Sequence, residues 1–339
     1  MKRIAIICVI LCTPLLINAQ VQTPTLEDLD HEIAMSSQYD KQYEDVIRSV
    51  KKQLHAAKTL KARCELSDKL FNLYTSYSVD SAIVYAMEKQ KIAKAMGNQS
   101  KVNDAKLNLA YLLIRGGELK EASDIINSIP RSEINQDLSF YYFSTRKTLY
   151  HTLADAALIP SQRKMYKQME KLCNDSVVDN NQSPDIWSRA EQLVNRQQYE
   201  QAKKILLDAY HHLKPGDRQT AFVSISLADI YGRDKNVEAQ KQYLIAAAIS
   251  DIRNSVKEYL ALQQLAMILF EEGDTKRAYA YMDHAMNDAV FCNARQRTIA
   301  MADVWPAIEK SHERETKSRT LKLTAALVLI SLMSVFLLV

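Results

Sequence analysis

The 339-residue sequence predicts an all-α chain: an array of about six helix pairs, entered through a capping helix and left through a membrane-spanning one. Three observations carry that expectation. Glycine and proline stand where helices should stop, small and large residues recur at fixed spacing through the middle, and both ends carry apolar runs.

With 47% hydrophobic and 25% charged residues but only 6 Gly and 7 Pro, the chain is neither disordered, nor collagen-like, nor a disulfide scaffold. Its formal charge is 44 − 40 = +4. Without Lys2 and Arg3, which lie in a segment expected to be removed, it is 42 − 40 = +2. Acidic and basic residues are interspersed as on solvated helix faces, so no nucleic-acid footprint exists in the charge.

Residues 1–19 have the layout of a secretory signal peptide: basic Lys2 and Arg3, an apolar run from Ile4 to Ile17, then Asn18-Ala19. The mature chain is expected to begin near Gln20. Residues 20–58 hold the cap. Leu29, Ile33, Tyr43, Ile47, Val50 and Leu54 follow near-helical spacing with charged and amide residues between them, an amphipathic helix from about Leu26 to Leu54.

Residues 59–308 form the repeat region. Gly97, Gly116-Gly117, Gly216, Gly232 and Gly273 mark helix ends, and Pro130, Pro160, Pro184, Pro215 and Pro306 fall at boundaries. Leu109-Ala110, Leu113, Gly117, Ala122, Ile126 and Ile129 are matched in spacing by Leu265-Ala266, Leu269, Gly273, Ala278, Met282 and Ala285. A third copy reads Ala190, Leu193, Ala202, Leu206 and Ala209. A fourth, with a turn one residue shorter, reads Leu227-Ala228, Tyr231, Ala239, Tyr243 and Ala246. The anchors Ala82, Ala122, Ala202, Ala239 and Ala278 are 40, 80, 37 and 39 residues apart; helices over about 138–157 and 161–174 fill the double step as a degenerate pair. Small residues let the two helices of a hairpin approach, larger ones fill the layers between hairpins, and glycine closes the turn. The pattern resembles the tetratricopeptide repeat (TPR), whose unit is about 34 residues. Units near 40 imply longer helices or connections, and each repeat is expected to touch only its neighbours.

Residues 309–322 have almost no apolar face and read as an exposed helical stalk with Glu313/Lys317 and Glu315/Arg319 pairs. Residues 323–339 contain no charge and reach about 25 Å as a helix, against the roughly 30 Å of a hydrocarbon core; extension back to Leu321 or local thinning completes the span. The sequence stops inside this run with no Lys or Arg beyond it, so a shortened product or the N-terminal portion of a longer protein is expected. Export followed by a stop predicts a single-pass protein of the inner (cytoplasmic) membrane, with residues from about 20 to 320 in the periplasm. The membrane is thus the first predicted partner. Cys64, Cys173 and Cys292 then allow at most one disulfide, and three buried thiols are the simpler expectation.

No catalytic, cofactor or metal residues emerge. Phosphate-binding glycine loops, Cys-x-x-Cys and His-Glu-x-x-His are absent from the sequence, and His211-His212 would face in different directions on a helix. An enzyme is therefore not expected. The anomaly is tyrosine, 17 against 7 Phe, with Tyr141, Tyr142 and Tyr150 close together and Trp187 starting the helix after Pro184. Hairpin packing explains such residues, and so does holding a protein segment or an oligosaccharide in the repeat groove.

Leu29-Asp30-His31-Glu32-Ile33 with Tyr39, Tyr43 and Ile47, then Asp80-Ser81-Ala82-Ile83-Val84-Tyr85, resemble the exported TPR-like, membrane-anchored transcriptional regulators of Bacteroidetes, of the starch-utilisation regulator type. So do Phe291-Cys292-Asn293-Ala294-Arg295 and Trp305-Pro306-Ala307-Ile308-Glu309 ahead of the span. The resemblance covers essentially the whole chain. It implies a periplasmic sensor, a maltooligosaccharide ligand, and contact with nucleic acid only through a segment absent from this chain. Asp175-Ser176-Val177 resembles the O-glycosylation sequon of these bacteria, with Ser176 placed in a loop, while Asp80-Ser81-Ala82 opens a helix. The competing reading is a membrane-tethered interaction scaffold that senses nothing. A homodimer would rest on a faint small-residue face, Ala325-Ala326 with Ser331 and Ser334.

Overall fold

In the computed structural model the described residues are 24–179, 186–214 and 216–338; the signal peptide expected over residues 1–19 lies outside them. Among the described residues there are fifteen α-helices, one 3-10 turn and no strand. The first helix, α1 (Leu26–Ala56), opens on a reciprocal cap in which the Thr25 hydroxyl accepts from the Asp28 N–H and the Asp28 carboxylate accepts from the Thr25 N–H. Six hairpins follow: α2 (Leu60–Tyr74) with α3 (Val79–Ala95), α4 (Gln99–Gly116) with α5 (Leu119–Asn127), and α6 (Gln136–Ala156) with α7 (Pro160–Asp179). Then come α8 (Ile186–Asn195) with α9 (Tyr199–His212), α10 (Arg218–Arg233) with α11 (Val237–Arg253), and α12 (Ala261–Glu272) with α13 (Thr275–Cys292). A short α14 (Arg295–Ala302) leads into α15 (Trp305–Leu338).

The repeat spacing has a direct packing cause. Ala82, Ala122, Ala202 and Ala278 have no exposed surface, because the second helix of each hairpin approaches the first at these positions. Gly117 (φ 81°) and Gly273 (φ 88°) end α4 and α12 in the left-handed conformation. The equivalent turns after α8 and α10 use Gln197 (φ 59°) and Lys235 (φ 57°) instead. In the shorter fourth turn Ala239 is only half-buried, so that copy departs from the others at its anchor.

The expectation that each repeat touches only its neighbours is corrected: the array closes on itself. One core joins residues of α1 to α4 with residues of α10 to α15, while two smaller cores lie within α4–α6 and α8–α10. The chain therefore leaves the shared core through α4 and returns to it through α10. The long α1 is the strap across the closure. Arg253 of α11 pairs with its Glu32, which also accepts from Tyr39 at 2.6 Å, and Arg277 of α13 pairs with Glu27 and Asp30 at 2.7 and 3.0 Å. Tyr281 of α13 donates to Asp30 at 2.7 Å. Between α11 and α12, Lys257 is buried against Asp40 of α1 (2.7 Å) and Asp288 of α13 (3.1 Å).

The predicted stalk, residues 309–322, is mostly exposed, and its base is seated on the array. Residues 305–338 are one continuous helix of about 51 Å whose first turns are docked, not free. Ile308 is fully buried, Tyr279 of α13 is stacked between Trp305 and His312, and Thr275 meets Glu315. Charge dominates the stalk composition, but a few contacts along one line suffice to seat it. Beyond Glu315 the helix leaves the array, and its apolar part, exposed throughout, is long and apolar enough to cross a membrane.

Candidate ligand-binding site

The predicted tyrosines fall on two faces of α6. Tyr142, Arg146 and Tyr150 stand at i, i+4 and i+8, and the Arg146 guanidinium donates to both phenol oxygens at 2.7 and 2.9 Å. Tyr142 is buried, and Tyr150 is half-buried and stacked with Tyr166 of α7. This ladder ties the degenerate hairpin together and leaves these two phenols engaged. Trp187 lies in the first turn of α8, and its side chain is outside the described part of the structure. Ser176 is corrected from a loop to the last turns of α7, where its hydroxyl donates to the Leu172 carbonyl at 3.0 Å.

Tyr141 points the other way, towards α4. It sits with Tyr111, Asp104, Asp68 and Arg115, and burial raises its phenol strongly. Arg115, at the end of α4, begins the polar part of the closure. Its guanidinium lies 5.4 Å from the Tyr111 ring centroid, donates to the Thr75 carbonyl at 2.8 Å, and pairs with Glu258 between α11 and α12. Burial works against the charge of Arg115, but Glu258, Tyr111 and Cys292 together outweigh it. Beside Glu258 lies Asp251 of α11, partly exposed but hemmed in by protein. Burial first, and the like charge of Glu258 second, push its carboxyl up to about 7, with Arg218 and Arg297 opposing.

Across the closure seam Arg115 thus joins Tyr111 and Glu258, with Asp251 in the field of Glu258, Arg218 and Arg297, and Tyr141 in the field of Tyr111 and Arg115 on the α6 side. Asn293 of α13 donates to Asp80 of α3 at the edge of this seam, at 3.0 Å, and the Lys257 N–H donates to the Ser76 carbonyl at 2.7 Å. Among the singled-out residues whose side chains are described, Tyr141 is the one beside Tyr111 and Arg115. Arg115, Glu258 and Asp251 carry no local signal, because they sit at ordinary polar positions of separate helices and meet only through closure.

A second feature lies apart, between the end of α1 and α3. It is a groove of about 1040 Å³ lined by apolar Leu54, Val84, Tyr85 and Met87 and basic Lys51, Lys91 and Lys94, among others. Cys64, Cys173 and Cys292 are buried and unbonded.

Six helical hairpins closed into one array, followed by a helix long and apolar enough to cross a membrane, define a TPR-type array. The family model for the SusR N-terminal TPR domain matches residues 33–303, and the chain belongs to that family. No curated protein matches the chain.

Proposed function

We propose that this chain is the sensing portion of a membrane-anchored transcriptional regulator, and that its ligand is held along the closure seam. The observation that carries the reading is the position of α13. Its Arg277 and Tyr281 hold the α1 strap, and its Tyr279 holds α15. Whatever changes the closure also moves the helix that enters the membrane.

The seam chemistry suits a polyhydroxylated ligand. Tyr111 and Tyr141 supply ring faces, while Asp251, Glu258 and Arg115 supply acceptors and donors in a partly desolvated setting. Family membership directs the choice to starch-derived maltooligosaccharides. In this reading the array is periplasmic, and the output passes through the span to a segment that contacts DNA.

Coupling requires the ligand to prefer one of two closure states. The test is titration of the full chain in nanodiscs with a maltooligosaccharide series, read by calorimetry and by disulfide crosslinking of single cysteines placed in residues 310–320. Binding, with a crosslinking pattern that changes on binding and reverts in Asp251→Asn and Tyr141→Ala, is expected. Crosslinks independent of any sugar would refute the sensing role and leave a tethered scaffold.

A further inference from the structure

The groove between α1 and α3 is unrelated to the seam, and its chemistry is ordered along one helix. Val84, Met87, Lys91 and Lys94 follow at spacings of three, four and three, which places them on one stripe of α3. The N-terminal half of the stripe is apolar, and Val84 and Met87 are 60% and 56% exposed. The C-terminal half is cationic. Lys51 and Leu54 of α1 form the facing wall.

Some basic side chains on this molecule meet a carboxylate, as Lys203 and Lys241 do across hairpins and Lys89 does between Asp68 and Asp104. At the groove Arg63 pairs with Glu88 at 2.9 Å. Among the described residues no carboxylate pairs with Lys51, Lys91 or Lys94; Lys51 lies over the Tyr74 ring, 5.3 Å from its centroid, while Lys91 and Lys94 stand beside the exposed Val84 and Met87. From Val84 to Lys94 the stripe runs about 15 Å, close to three helical turns. The volume is at the upper end of small-molecule pockets and the cleft is open, which with the 15 Å run of α3 suits a chain segment better than a compact ligand.

We propose that this groove docks an acidic amphipathic helix of a partner protein. Its apolar residues would lie on Val84, Met87 and Leu54, and its carboxylates on Lys91, Lys94 and Lys51. Helix-in-groove recognition reads anchors at i, i+3/i+4 and i+7, the spacing that the α3 stripe presents. The apolar half supplies burial; the lysines set orientation and reject basic segments. A concave cleft with an apolar floor favours a helix over a flat anionic membrane, which would meet the lysines but not the floor.

The probe is a synthetic helical peptide about four turns long, with leucines in one half of its apolar face and glutamates in the other, labelled for fluorescence anisotropy. Full-length chain in phosphatidylcholine nanodiscs is titrated into it. Saturable binding is expected, weakened at least about tenfold by Lys91→Glu/Lys94→Glu and by Met87→Asp, with thermal melting unchanged because these side chains are exposed. A peptide with lysines in place of the glutamates should bind the Lys91→Glu/Lys94→Glu variant better than the wild type. Equal binding of a scrambled peptide, indifference to both variants, or displacement by phosphatidylglycerol vesicles through the same lysines would each overturn the proposal.

Discussion

Replacing Lys257 by Met tests whether the array is closed. The side chain is 4% exposed, and its ammonium bonds Asp40 of α1 at 2.7 Å and Asp288 of α13 at 3.1 and 3.2 Å. Methionine keeps most of the stem volume and removes the charge, leaving two partly buried carboxylates without a counter-ion. Burial, with Lys257 itself as a smaller cause, holds His284, 3.5 Å from Asp288, below the ordinary histidine value; the variant removes the Lys257 part and leaves the burial. Breaking a buried pair in this way costs about 3–5 kcal/mol. Lys257→Met should therefore lower stability by about 3–5 kcal/mol at pH 7, and by less at pH 5, because acid lets the site take up a proton in place of the lost ammonium. Urea denaturation of the full chain in detergent at the two pH values measures the difference. Native-state hydrogen exchange should show α1 losing protection before α8 and α9. A loss below about 1 kcal/mol that does not vary with pH, or unchanged exchange in α1, would refute the closure argument.

Three further outcomes follow from single sites. The Asp251 carboxyl rises from 3.8 to about 7 on folding, so the folded chain holds a proton that the unfolded chain releases. Stability should fall as pH rises from about 4 to about 7, and Asp251→Asn should remove that fall and add on the order of 2–4 kcal/mol at pH 8, measured by denaturation across pH. Ala278, with no exposed surface, sits where α12 and α13 touch; Ala278→Leu should cost about 1–3 kcal/mol in a urea melt. Gly273→Ala meets no atom within 4 Å but must hold φ near 88°; it should cost about 1 kcal/mol, and Gly273→Asn less.

The hairpins were legible in the sequence because their determinants are local. An anchor alanine, a left-handed glycine and apolar residues four apart lie within about one repeat of each other, and the buried Ala122, Ala202 and Ala278 answer to that pattern. Where a turn is shorter, as before Ala239, or uses Gln197 or Lys235 for the left-handed residue, the signal fades, since any side chain can be forced there at modest cost. Closure was not legible. Glu32 meets Arg253 from 221 positions away, and Glu27 meets Arg277 from 250, yet each occupies a polar position of an amphipathic helix that looks like a solvated face. The seam inherits that opacity: Tyr141 stands out in a tyrosine-rich stretch, whereas Arg115, Glu258 and Asp251 acquire their character only from what closure brings beside them.

The two duties of α13 follow from its geometry. At 100° per residue Tyr279 stands about 200° around the helix from Arg277, so the strap and the span helix are held on opposite sides. A rigid shift of α13 towards one partner moves it from the other. The contacts on either side are of small worth. Glu27 is 74% exposed, so water screens its pair with Arg277, while aromatic stacking such as Tyr279 on His312, centroids 4.3 Å apart, contributes about 0.5–1.5 kcal/mol. The buried Lys257 cluster, by contrast, fixes the middle of the strap much more firmly. That difference makes Lys257 a pivot, with the exposed pairs near Glu27 as the part that yields. A ligand at the seam would then need a differential affinity of only about 1–3 kcal/mol between closure states to change how α15 is seated, which lies within the usual range of allosteric coupling.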